Sequence, residues 1–292
     1  MPVLETASVL SLKNILFATD FSPVSENALP FAAALARQYQ SKLLVAHVLP
    51  EPQEAVTEHR WSQRDERMRA EAGQRMSEIA AGDSLRGLQH EETLLEGESW
   101  KALAQFIADQ QVDLAVLGTH GRGGFGELFL GSVAEAVFRH AACPVITVGP
   151  RARRPDEQGI QRVLYASDLK GGQHGLPYAV SIANQNNARL IFLHVLLPGG
   201  LLPVTVPEEE AEEAKQQMRN LAADSAPLNH EPQFLVEMGQ AAREILATAV
   251  IHNVDLIVMG VKPGSASAAH APWAIAHQVV GRAPCPVLTV KN

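Results

Sequence analysis

Four short segments occur twice in this chain, in the same order. Asn14–Asp20 (NILFATD) returns as Arg162–Asp168 (RVLYASD), and Leu43–Val48 (LLVAHV) returns as Leu190–Val195 (LIFLHV). Val112–Gly118 (VDLAVLG) returns as Val254–Gly260 (VDLIVMG), and Cys143–Val148 (CPVITV) as Cys285–Val290 (CPVLTV). The last two pairs share an offset of 142 residues (118 to 260, 143 to 285), so the stretch between them aligns without a gap. Inside that stretch the copies part. The first has Gly118, Gly121 and, after nine more residues, Gly131-Ser132; the second has Gly260, Pro263, Trp273 and Ala274 at the same places.

A repeat of this length constrains the fold to two copies of one domain, and 292 residues supply about 140 for each, enough for a self-sufficient core. The expected division is 1–150 and 151–292, through a polar linker Pro150–Gln161 that carries two prolines. At 46% hydrophobic and 19% charged residues the composition is that of a globular protein. A net charge of −8 argues against nucleic acid as a partner, because affinity for a phosphate polymer rests on Lys and Arg. The two cysteines, Cys143 and Cys285, occupy one repeat position ahead of an apolar strand and read as buried, unpaired thiols. No basic stretch followed by an apolar run opens the chain, and no apolar run approaches the ~18 residues of a membrane helix. A soluble, cytoplasmic protein is the expectation.

Within each copy, short aliphatic runs alternate with longer segments of helical period, the pattern of a parallel sheet with helices on both faces. In the first copy the strands are expected at Asn14–Ala18, Lys42–Val48, Glu91–Leu95, Leu114–Leu117 and Val145–Val148. Ser22-Pro23 reads as an N-cap followed by Pro at the first helical position, and Leu29, Ala32, Ala33 and Leu35 give that helix its apolar face. Glu51–Gly73 reads as a solvated excursion and helix, whereas its counterpart Leu196–Pro207 is an apolar loop before an acidic helix at Glu208.

In an open parallel sheet, ligands collect at the carboxyl ends of the strands where the strand order reverses. If strands one and four flank that reversal, Asp20 and Gly118 face one crevice. Glycines after a strand let backbone N–H groups approach an anion, and Gly131-Ser132 stands just before the periodic run Val133–His140, at a helix start. The loop is neither a Walker A motif, lacking Lys-Ser or Lys-Thr, nor GxGxxG after a first strand. Plainer readings stand beside this one. Asp20 and Asp168 also suit a turn cap, His47 and His194 suit hydrogen-bonded core histidines, and Arg122 and His120 either meet phosphate or are solvated. No His/Cys cluster has metal-site spacing.

The chain resembles a tandem universal stress protein over almost all of both copies, Asn14–Gly149 and Arg162–Lys291. The ATP-binding branch of that family carries G-x2-G-x9-G-[ST] after its fourth strand, present here in full at Gly118, Gly121, Gly131 and Ser132. Leu130 ahead of the motif, Val133 and Ala134 behind it, and CPV before the last strand also fit. The resemblance implies two Rossmann-like domains of the adenine nucleotide alpha hydrolase type. It implies ATP, with Mg²⁺ as an accompanying ion, in the first domain. Asp20, with Ala18 and Thr19 before it, and Val48 would meet the adenine, and Gly118 would lie by the ribose. Gly121, Gly131, Ser132 and Val133 would hold phosphates mainly through backbone N–H, with Arg122 beside them. Ala18 departs from the family, which often has Pro there. The resemblance further implies that the two last strands pair antiparallel as an internal pseudo-dimer, and that two chains associate as a homodimer.

Three functions compete at this level. A stress-response regulator would bind the nucleotide in the first domain and keep the second as its structural partner. A slow ATPase or phosphotransferase would need a base, an arginine finger or a lysine clamp that the motif does not supply, so no catalytic residue is assigned. A nucleotide-free interaction scaffold leaves the intact motif without a purpose.

Overall fold

The computed structural model describes residues 10–51, 58–119, 131–153, 159–170, 173–197, 206–261 and 272–291, with side chains from Asp65 in the first long helix and from Ala274 in the last. The chain separates into two compact units, Leu12–Pro150 and one built on Arg151–Asn292.

The first unit runs β1 (Asn14–Ala18), α1 (Pro23–Glu26), α2 (Leu29–Tyr39), β2 (Lys42–Leu49), α3 (Glu58–Ala81), β3 (His90–Glu96), α4 (Ser99–Asp109), β4 (Leu114–Gly118), α5 (Ser132–His140) and β5 (Val145–Val148). Its strands are parallel and lie in the order β3-β2-β1-β4-β5. The chain first steps from β1 to β3 and then returns across the sheet to β4 and β5. With right-handed crossovers, the helices of the two journeys fall on opposite faces. Accordingly α2 and α3 both touch the 3-10 turn Asp83–Leu85, and α4 packs on α5.

Burial follows position in the sheet. Ile15, Leu16 and Phe17 of β1, central and covered on both faces, are at most 1% exposed, whereas β3 at the edge has only half-buried and exposed residues. Four alanines of the α2 segment, Ala28, Ala32, Ala33 and Ala36, are fully buried, so that helix can approach the sheet closely. Each large aliphatic or aromatic side chain buried here contributes about 1.5–3 kcal/mol.

The structure corrects one local expectation. Ser22 does cap a helix, its hydroxyl accepting from the Ser25 N–H, but the helix stops after one turn and a second begins at Leu29. Pro30 explains the break, since it has no N–H for the carbonyl four residues back and its ring crowds that carbonyl. The charged segment after β2 is helical from Glu58 and runs to Ala81, beyond the expected Gly73.

The second unit repeats the plan with β6 (Arg162–Ala166), α6 (Leu176–Gln185), β7 (Arg189–Leu196), α7 (Glu208–Ala223), β8 (Gln233–Met238), α8 (Ala241–Ile251), β9 (Leu256–Val261), α9 (Pro272–Arg282) and β10 (Val287–Lys291). The strands are again parallel, in the order β10-β9-β6-β7-β8. Its core centres on Phe192, which meets Tyr165 edge-on at 5.6 Å and Phe234 at 5.3 Å; such pairs add about 0.5–1.5 kcal/mol beyond their burial.

The repeat reaches single hydrogen bonds. Asp113 accepts from the N–H groups of Lys13 and Asn14 at 2.6 and 2.9 Å, and Asp255 accepts from Gln161 and Arg162, both at 2.9 Å. Each carboxylate pins the start of the central strand of its own sheet.

Candidate functional site

In the first unit β1 pairs with β2 on one side and β4 on the other, with Ala18 opposite both Ala46 and Leu117. The strand order therefore reverses between β1 and β4. Ala18, Thr19 and Asp20 leave β1 at its carboxyl end while Gly118 and Thr119 leave β4 beside it, which is the crevice position of an open α/β sheet.

The turn after β1 is held by its own side chains. Buried Thr19 donates its N–H to Ala46 O at 2.9 Å, and its hydroxyl lies 3.0 Å from that of Ser25 and accepts from the Phe21 N–H at 3.0 Å. Asp20 is half-buried and its Oδ1 accepts from the Ser22 N–H at 3.0 Å. This is the turn-capping role its residue type suggests, and a carboxylate retains further acceptor sites beyond one such bond. The turn places Phe21 at φ 62°, and the matching residue Leu169 of the second unit sits at φ 56°. A bulky residue in the left-handed region is strained and persists only where its surroundings dictate it.

Around this turn stand groups that local sequence does not reveal. His47 Nδ1 donates to Thr19 O at 2.8 Å, and the His47 ring stacks on Phe21 at 4.2 Å. Arg75, from the distant helix α3, lies 5.6 Å over the Phe21 ring and pairs with Glu26 at 2.6 Å. No short-range pattern brings α3 to this corner, because its register is set only by packing.

At β4, Gly118 is needed for a packing reason. A Cβ there would meet Ser25 Cα at 2.8 Å and Val24 O at 3.0 Å, so α1 rests directly on this position. Thr119 is fully buried and donates its N–H to Val148 O at 3.0 Å. Its carbonyl accepts the N–H of Gly131 at 2.7 Å. That bond brings the start of α5 back to the end of β4.

Gly131 caps α5 at φ −59° and ψ 146°, a conformation open to any residue, and no side chain caps the helix. Because the Gly131 N–H is bonded to Thr119, the helix-start donors begin with exposed Ser132 and half-buried Val133. Val48 is half-buried one residue from the end of β2. Ala18, Thr19, Asp20, Gly118, Gly131, Ser132 and Val133 thus sit at one end of the sheet, with Val48 on the neighbouring strand. Gly121 and Arg122 lie outside the described residues, as does Pro263 of the second unit. Among the described residues there is no cluster of His, Cys, Asp or Glu able to hold a metal ion. No described helix is long and apolar enough to cross a membrane.

The second unit repeats the turn. Asp168 Oδ1 accepts from the Lys170 N–H at 2.9 Å, Ser167 Oγ from Leu169 N–H at 3.1 Å, and His194 Nδ1 donates to Ser167 O at 2.9 Å. Both histidines are therefore half-buried and tied by a hydrogen bond to the turn after the neighbouring strand. Helix α9 starts at Pro272, which aligns with Leu130, so it runs through the position of Gly131.

The family profile described as the universal stress protein family matches residues 11–149 and again 159–291. A universal stress protein of Thermus aquaticus is 35% identical over 144 residues, covering 47% of this chain and 98% of its own length. One from Methanocaldococcus jannaschii is 29% identical over 138 residues, covering 47% of this chain and 81% of itself. The crystal structure of a universal stress protein from Archaeoglobus fulgidus superposes with a TM-score of 0.69 at 21% identity, covering 95% of this chain and 98% of its own. Relatives of single-domain length thus match half of the chain, and a full-length fold matches nearly all of it. With its two matched regions, the chain belongs to the universal stress protein family.

Proposed function

We propose that the first unit binds an adenine nucleotide, ATP with Mg²⁺, at the carboxyl ends of β1 and β4, and that the protein acts as a regulator of the stress response. The observation that carries this reading is the 2.7 Å bond from Gly131 N–H to Thr119 O. It sets an α-helix start, with no side-chain cap, beside the reversal point of the sheet, where backbone donors and the helix dipole favour an anion. Ser132 adds a hydroxyl there. Each hydrogen bond to a charged phosphate contributes about 1.5–3 kcal/mol, so three or four support micromolar binding after association costs. The base would lie toward Asp20 and Val48, and Gly121 and Arg122 would approach the phosphates.

Phosphoryl transfer needs a positioned base and cationic groups around the transferring oxygens, and no residue of the motif is assigned these parts. Nucleotide level would therefore be read by population shift. The second unit, with Ala274 in place of Ser132, serves as the structural partner through pairing of β5 with β10, and two chains associate as a homodimer. Equilibrium binding of ATP measured alongside its turnover tests the reading: micromolar binding with negligible hydrolysis supports it, and no binding overturns it.

A further inference from the structure

The second unit contains a cavity of about 350 Å³ at the carboxyl ends of β6, β7 and β9, the place that corresponds to the crevice of the first unit. That volume is within the range of small-molecule pockets, roughly 300–1,000 Å³. We infer that this cavity is a second binding site, for an uncharged and predominantly apolar small molecule rather than a nucleotide.

The walls argue for the class of ligand. Ala166, Leu193, Ile245 and Met259 line it and are each no more than 8% exposed. At its mouth stands Leu197, which is 78% exposed, an apolar side chain left in water beside an apolar hollow. Of the polar groups in its wall, His194 donates to the Ser167 carbonyl at 2.9 Å, and Tyr165, Ser167 and Gln173 bond to one another. Tyr165 donates its hydroxyl to Gln173 Oε1, and Ser167 donates to the same oxygen at 3.1 Å while accepting from Leu169. Burial pushes the Tyr165 phenol up to about 12, so it is neutral throughout the ordinary pH range. Asp168 and Lys170, of opposite charge, stand at the exposed edge.

The difference from the first unit is physical. There α1 lies against Gly118, a Cβ at that position meeting the Ser25 Cα at 2.8 Å, whereas residues 173–175 of the second unit form no helix and Gly260 lines the cavity. The anion-holding half is replaced as well: α9 opens on Pro272, which has no N–H, and Ile275 borders the cavity where the first unit has Val133. The hydroxyl of Ser132 also has no counterpart, since Ala274 stands in its place.

The test is a titration of the full chain with N-phenyl-1-naphthylamine, an uncharged aromatic amine whose fluorescence rises in apolar surroundings. Saturable binding at one probe per chain is expected, unaffected by excess ATP. Ala241→Phe and Ile275→Phe, which fill the cavity from two different helices, should each weaken it by roughly tenfold. Ser132→Ala should leave it unchanged, and circular dichroism establishes that each variant is folded. Absence of saturable binding to the wild type, undiminished binding in either folded filling variant, loss in Ser132→Ala, or displacement by ATP would overturn the inference. Because saturable probe binding to the wild type and its loss in the filling variants are read without nucleotide, they stand or fall separately from ATP binding in the first unit.

Discussion

Gly118 has no room for a side chain because Ser25 stands against it: a Cβ at position 118 would lie 2.8 Å from the Ser25 Cα and 2.9 Å from its backbone nitrogen. Both obstacles are main-chain atoms, so α1 must move to relieve the clash. Gly118→Ala should therefore destabilise the protein by about 1–3 kcal/mol, the usual effect of overpacking. It should also weaken ATP binding, because the moved helix carries the Ser22 and Ser25 groups that shape the Asp20 turn. Urea denaturation checks the first effect and calorimetry the second; a variant of wild-type stability would contradict this account of the glycine.

Gly131 is a different case, since φ −59° and ψ 146° suit any residue. Its missing side chain would leave room for phosphate and relieves no backbone strain. Gly131→Val with Ser132→Ala should change stability by less than about 1 kcal/mol and weaken ATP binding at least roughly tenfold. Unchanged affinity in the folded double variant would remove the site from this loop.

The proposed pairing of β5 with β10 can be read from hydrogen exchange. Carbonyls of Pro144 and Val148 accept from Ala115 and Thr119, each at 3.0 Å, so the alternate residues Val145 and Thr147 face away from β4. In β10 the Pro286 carbonyl accepts from Ile257 at 3.0 Å, which turns Val287 and Thr289 away from β9. Slow exchange of these four amides is expected. Rapid exchange at all four would contradict the pairing.

Stability at high pH should depend on Tyr165. Burial, followed by the charge of Asp168, raises its pKa from 10.0 to about 12. The unfolded chain thus releases this proton first, and the associated stability, full below pH 10, is lost as pH rises toward about 12. Cys285, raised by burial from 9.0 to about 12, acts in the same direction. Tyr165→Phe should flatten the decline of unfolding free energy over the upper window while leaving the Cys285 component. Parallel curves for the two proteins would show that Tyr165 is not the group responsible.

What the sequence disclosed and what it hid divide along physical lines. The strands of β1 and β4 were legible because a strand buried on both faces is a continuous apolar run, and Ser22 was legible as a cap because capping is a local bond. The break before α2 was readable too, from Pro30, but the apolar face of Leu29–Leu35 hid it. The rest depends on distance in the chain. Gly118 and Gly131 were legible as glycines after a strand and before a helix, but the packing of α1 against Gly118 and the bond from Gly131 N–H to Thr119 O were not. Arg75 over Phe21 joins residues 54 positions apart. The cavity of the second unit is a shape, created by side chains of several elements, and no motif announces a shape.

The central claim is asymmetry between the two copies, and calorimetric titration of the full chain with ATP tests it most directly. A stoichiometry of one nucleotide per chain is expected, abolished by Gly131→Val with Ser132→Ala and retained in Asp168→Ala. A stoichiometry of two, or one that disappears with Asp168 and survives the loop substitutions, would contradict it.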